Sequence, residues 1–171
     1  MVKAAAPKRY YYAGGERVPI EEDETRVAVD VRRANEAGLQ ELTTTMDGPR
    51  LPGGVTLAAR DSFGAKDVER LRKAGALLSV FRHDQAVMVP LPEIRVEVDD
   101  EKQRQAVLDS IESSPHPVEI SEQDDARLIL RPTSQSGEDA IEVANFLHEK
   151  AKPAAASIRF VQFVPRPDTT R

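Results

Sequence analysis

Residues Pro92 to Phe163 read PEIRVEVDDEKQRQAVLDSIESSPHPVEISEQDDARLILRPTSQSGEDAIEVANFLHEKAKPAAASIRFVQF, and the order of periodicities in this stretch decides the fold. Ile94, Val96 and Val98 alternate with Arg95 and Glu97, the period of a strand with one apolar and one wet face. From Asp100 to Glu112 the period lengthens: Gln103, Val107 and Ile111 recur at helical spacing, flanked by Ala106 and Leu108, which predicts an amphipathic helix. Ser113-Ser114-Pro115 ends it, because proline cannot continue the hydrogen-bond ladder. Val118 and Ile120 around Glu119, turn chemistry from Ser121 to Asp125, and Arg127-Leu128-Ile129-Leu130-Arg131 together predict a hairpin. Ser136 is placed to cap the next helix, with Asp139 three residues on and Ala140, Val143, Ala144 and Leu147 as its apolar stripe. Pro153 closes that helix, and Ile158 to Phe163 is the last strand. Strand, helix, strand, strand, helix, strand is the split βαβ, ferredoxin-like order: a four-stranded antiparallel sheet with two helices on one face.

Upstream, the same order recurs in weaker form. Val27 to Val31 predicts an alternating strand, Ala34 to Leu42 a weak helix whose internal Gly38 costs about 1 kcal/mol relative to Ala, and residues 43–46 a poorly defined strand. Asp47-Gly48-Pro49 and Leu51 to Gly54 are turn-rich, 55–59 is a strand, and Asp61-Ser62 precedes a helix over 65–74. That helix carries Val68, Leu71 and Arg72 on one side and stops at Gly75, before an apolar strand over 76–82. The fold class expected is therefore α+β, with two tandem ferredoxin-like (βαββαβ) units of antiparallel sheets, the first degenerate. The expected divisions are an N-terminal tail and edge segment (1–24), a first unit (25–83), a linker (84–91), a second unit (92–163) and an extended C-terminal tail (164–171). Within the first segment, residues 1–9 suit a frayed tail. Tyr10-Tyr11-Tyr12 before Ala13-Gly14-Gly15 suits an edge strand and turn, or an aromatic patch that meets a partner. The acidic run Glu21 to Glu24 predicts a solvated loop.

Composition narrows the functional classes. The 171 residues carry 29 acidic and 24 basic side chains, a net charge of −5, which argues against a phosphate backbone as main partner. Aromatic content is 5%, and the expected central strands, Ile94 to Val98 and Arg127 to Arg131, carry no aromatic residue, so the stacking platform of RNA-binding sheets is missing. Without cysteine there is no disulfide, thiolate nucleophile or Cys-ligated metal. No run approaches the roughly 18 apolar residues a membrane span needs, and the N-terminus lacks an apolar signal core, so a cytoplasmic location with no membrane partner is expected.

No arrangement for catalysis is legible, and the expectation is a non-enzyme without cofactor or metal. His83, His116 and His148 lie far apart, and none has a metal-ligand partner two to four residues on. Gly53-Gly54 lacks the Lys-Ser/Thr of a phosphate loop. Asp99-Asp100 and Asp124-Asp125 fall at a helix start and a hairpin turn, where capping and solvation explain them. The tail Val164-Pro165-Arg166-Pro167-Asp168-Thr169-Thr170-Arg171 leaves directly from the last strand. Its alternate prolines exclude helix and favour an extended peptide of the kind presented to a groove.

A family resemblance sharpens this reading. Tyr10 to Gly15 followed by Val18-Pro19 and Arg26 to Val29 resembles the opening of the tandem N-terminal pro-regions of certain bacterial subtilisin-like serine proteases. Leu78-Ser79-Val80-Phe81-Arg82-His83 and then Glu93 to Val96 are similar to the link between their units, and Asp139 to Leu147 with Ile158 to Pro167 resembles the last helix, strand and exit of such a propeptide. The likeness runs from Tyr10 to Pro167. No protease triad motif follows, so the expectation is a stand-alone inhibitor or folding chaperone of a separately encoded subtilisin-like serine protease. The resemblance implies that the sheet, near Ile94, Arg127 to Leu130 and Ile158 to Phe163, docks on the protease while the tail enters the active-site cleft. It thus implies protease-binding roles for Phe160, Gln162, Phe163, Val164, Pro165, Arg166, Pro167, Asp168, Thr169, Thr170 and Arg171. Two other readings remain open. One is a regulatory module taking a small molecule between units, although Val98-Asp99-Asp100 offers carboxylates where a glycine-lined turn is wanted. The other is an assembly partner anchored by Tyr10 to Tyr12.

Overall fold

The computed structural model describes residues 9–164. In chain order the elements are β1 (Arg9–Ala13), β2 (Glu16–Glu22), β3 (Arg26–Asp30), α1 (Val31–Glu36), α2 (Gln40–Thr43), β4 (Arg50–Leu51) and β5 (Val55–Ala59). After a 3-10 turn (Arg60–Ser62) follow α3 (Ala65–Lys73), β6 (Leu77–Leu78), β7 (Phe81–His83), β8 (Ala86–Glu97), α4 (Glu101–Ile111), β9 (Val118–Gln123), β10 (Arg127–Pro132), α5 (Gly137–Lys150) and β11 (Ala155–Phe163). The fold is α+β with antiparallel sheets. Two compact units divide it: one holds residues 9–21 and 90–159, the other 22–89 and 160–164.

Around α4 and α5, four strands of a larger sheet lie in the order β11-β8-β10-β9, with residues 90–97 of β8 and 155–159 of β11 inside this unit. Ile94, Val96 and Val98 of β8 and its end join Leu128 and Leu130 of β10 and Ala156 of β11 in one core with Val107 of α4 and Ala140, Val143, Ala144 and Leu147 of α5. Both helices start where their caps dictate. Asp100 accepts from the Gln103 amide (2.8 Å) while the Gln103 side chain accepts from the amide of Asp99, just before the cap (2.8 Å), so two otherwise unpaired donors are satisfied at the helix start. Ser136 accepts from the Asp139 amide at 3.3 Å. Gly137, the first residue of α5, lies so close to Pro90 that a Cβ there would collide with the Pro90 carbonyl. A bulge between Ile129 and Leu130 shifts the β9 register.

The same unit contains the β1–β2 hairpin. Ala13 pairs with Glu16 across Gly14 (φ 59°) and Gly15 (φ 83°), the left-handed pair that a two-residue type I′ turn requires. Arg9, expected in a frayed tail, is paired opposite Ile20.

In the other unit the order is β4-β5-β3-β6. Val29 packs with Ala34, Leu39, Leu42, Leu71 and Ala76. The structure differs here from several expectations. Val27, Ala28 and Val29 are all buried, so β3 is covered on both faces rather than alternating. The weak helix breaks at Gly38 (φ 79°) into α1 and α2. Residues 43–46 are not a strand: Thr43, Thr44 and Thr45 donate their hydroxyls back to the carbonyls of Gln40, Glu41 and Leu42, which holds the β-branched run in a helical turn. The strand is β4, further on. The apolar run over 76–82 is two strands, β6 and β7, and most of the expected linker 84–91 is the first half of β8, entered through a turn at Asp84 (φ 52°). Among the described residues no helix is long and apolar enough to cross a membrane.

Candidate protein-docking face

Strand alternation gives the β11-β8-β10-β9 sheet two unlike faces. Ile94, Leu128 and Leu130, grouped above with a docking face, have no exposed surface and belong to the core under α4 and α5. The residues between them in sequence lie on the opposite face: Arg95 and Glu97 of β8, Arg131 of β10 and Arg159 of β11, all exposed. Arg95 stands opposite the buried Ile129, and Arg127 opposite Glu97. Glu93 receives Arg131 at 3.1 Å and Arg159 at 3.7 Å. The face is a mosaic of both signs, with no aromatic residue on β8 or β10.

Along β11, Phe160 and Phe163 are half-buried while Gln162 is exposed. Val164 follows, 60% exposed, one of two exposed large apolar residues among those described, with Ile120. Pro165, Arg166, Pro167, Asp168, Thr169, Thr170 and Arg171 lie outside the described residues.

The tyrosines of β1 serve the fold. Asn145 of α5 donates to the Tyr10 carbonyl (2.8 Å), and Glu149 accepts from the hydroxyls of Tyr10 (3.0 Å) and Tyr12 (2.8 Å). Tyr12 stacks on His148 at 3.9 Å, and the Arg17 guanidinium lies 4.5 Å from the centre of the Tyr10 ring. Burial first, then the Glu149 hydrogen bond, raise the Tyr10 pKa; the Tyr12 hydrogen bond chiefly holds Glu149 below its usual value. Arg9 adds ion pairs to Glu138 (3.4 Å) and Glu142 (3.5 Å). A hollow of about 350 Å³ remains between hairpin and helix, lined by Ile141 and Phe146 among these polar groups. In the other unit a hollow of about 280 Å³ is lined by Val31, Thr43, Met46, Leu51 and Val55 with Arg50.

One cluster escaped the sequence reading. His116, in the connection between α4 and β9, hydrogen-bonds Glu142 through Nε2 and lies 3.4 Å from Asp139 Oδ1. Its carboxylate partners arrive on α5, far from it in sequence, where spacing along the chain carries no sign of them.

Against this geometry, no family model, curated protein or solved structure matches the chain.

Proposed function

We propose that this protein is a propeptide-like inhibitor or folding chaperone of a subtilisin-like serine protease. The charged face of the β11-β8-β10-β9 sheet docks on the enzyme, and the chain after β11 enters the active-site cleft. The observation that carries the reading is the pairing of a mixed-charge sheet face, with Arg95, Glu97, Arg131 and Arg159 exposed on it, with a border strand, β11, that is followed directly by the exposed Val164. Backbone hydrogen bonds from an extended segment supply affinity, while a preformed sheet adds area at little ordering cost.

Strand order supports the tandem ferredoxin-like architecture on which the reading rests. In both β11-β8-β10-β9 and β6-β3-β5-β4 the first strand of the unit lies between the third and the fourth, with the second at the edge. The earlier unit is the degenerate one: its first crossover helix is broken at Gly38, and β4 and β6 are each two residues long.

The test is peptide hydrolysis by a subtilisin-like serine protease mixed with the full chain. Activity should fall as the chain approaches stoichiometry, and undiminished activity at stoichiometric excess would overturn the proposal. Removing Val164 to Arg171 should weaken inhibition far more than it lowers the melting temperature; equal inhibition by the shortened chain would assign binding to the sheet alone.

A further inference from the structure

We propose that His116, Asp139 and Glu142 form a site for a divalent transition-metal ion, Zn²⁺ being the best fit. Asp139 and Glu142 lie one helical turn apart on α5, so their carboxylates share a face. His116 reaches them from the connection before β9, and one ligand atom from each residue lies within 4.8 Å of the other two. A tetrahedral ion with ligands at about 2.0–2.2 Å spaces those ligands roughly 3.4 Å apart. His116 Nε2 and Asp139 Oδ1 are separated by 3.4 Å.

The far oxygens are already engaged. Ser134 donates its hydroxyl to Asp139 Oδ2 at 2.6 Å, and Arg9 lies 3.5 Å from Glu142 Oε1. These partners leave Asp139 Oδ1 and Glu142 Oε2 turned toward one imidazole nitrogen, the outer-shell support that metal-binding carboxylates use. An imidazole nitrogen carries at most one proton, which can be directed well at only one of two anionic oxygens. A dication in the proton's place satisfies all three ligand atoms. Glu142 now contacts Nε2 directly and must draw back to admit the ion; its side chain, 45% exposed, has the room. One nitrogen and two carboxylate oxygens without sulfur suit Zn²⁺ and exclude a soft-metal site. The site stands apart from the protease reading and does not depend on it.

Titration calorimetry with Zn²⁺ on the full chain, free of any histidine tag, tests the proposal. One ion should bind per chain and raise the melting temperature. His116→Ala and Glu142→Gln should each weaken binding at least about tenfold, the loss that follows removal of even an outer-shell partner. Absence of binding, or unchanged affinity in His116→Ala, would overturn it, the latter by placing the ion at His83 or His148. Should a variant fail to fold, the imidazole resonances of the unmodified chain decide: Zn²⁺ should shift those of His116 first, and a His116 resonance that stays still rejects the site.

Discussion

Asp23 shows how far a single carboxylate can depart from its surroundings. The run Glu21 to Glu24 has the composition of a solvated loop, yet Glu21 and Glu22 end β2 and Asp23 is only 5% exposed. Its Oδ1 accepts from the Thr25 amide (3.0 Å) and hydroxyl (2.6 Å), its Oδ2 from Arg26 (2.9 Å), and Arg82 lies 3.8 Å away. Burial alone would push its pKa up; the Thr25 and Arg26 hydrogen bonds together outweigh that and hold it below the usual aspartate value. A depressed folded-state pKa stabilises the fold above the unfolded value of about 3.9, and this stabilisation is lost as pH falls through the lower folded value. Asp23→Asn should therefore cost about 1.5–3 kcal/mol at neutral pH, the range for hydrogen bonds to a charged group. Urea melts from pH 7 down to pH 3 should show the gap from the parent closing; a gap constant with pH would remove the charge from the account. Charge patterning could not single out this residue, although Asp two positions before Thr is a readable turn signal.

Among the elements, those with a cap and a stripe were legible and those held by side chain-to-backbone bonds were not. Ser136 and Asp100 each sit at the helix start predicted from their spacing, because a cap acts within a few residues of its own chain. Thr43 to Thr45 misled for the opposite reason: β-branching favours strands in general, but here the hydroxyls bond back into the turn. The tyrosine run of β1 was readable as a strand, while its partner α5 lay beyond local patterning. Glu149 joins them, and with its pKa held low its support is full above the ordinary glutamate value of about 4.3 and fades as pH falls through the lower folded value. Glu149→Gln should accordingly speed amide exchange at Tyr10 to Tyr12 severalfold at pH 7 while leaving the buried amides of α5 unchanged, and should reduce the acid sensitivity of the hairpin to what the Arg9 ion pairs with Glu138 and Glu142 supply. Unaltered exchange would mean that the Asn145 bond and the Tyr12–His148 stack suffice.

At the scale of the whole molecule, the α+β class and its antiparallel strands were legible in the periodicity, whereas the candidate docking face needed the pleat. Sequence blocks such as Arg127 to Leu130 mix residues of both faces, and only alternation about the core separates Leu128 and Leu130 from Arg127 and Arg131. His116 and Glu142, 26 residues apart, meet only because α5 packs beside the β9 connection. The charged character of the face then sets how it binds under the inhibitor reading. Surface ion pairs contribute about 0–1 kcal/mol to stability, so the exposed Arg131, although paired with the half-buried Glu93, can serve recognition at little cost to the fold. Rim charges act chiefly on the association rate and its salt dependence, and at 0.15 M salt the screening length is about 8 Å. Stopped-flow inhibition of the protease should therefore slow by roughly tenfold between low and high salt, the lower end of electrostatic steering. Arg131→Glu should change the low-salt rate and flatten the salt slope while moving the melting temperature little. A rate indifferent to salt in both proteins would mean that the mosaic of Arg95, Arg131 and Arg159 plays no part in docking, and that the chain beyond β11 acts without it.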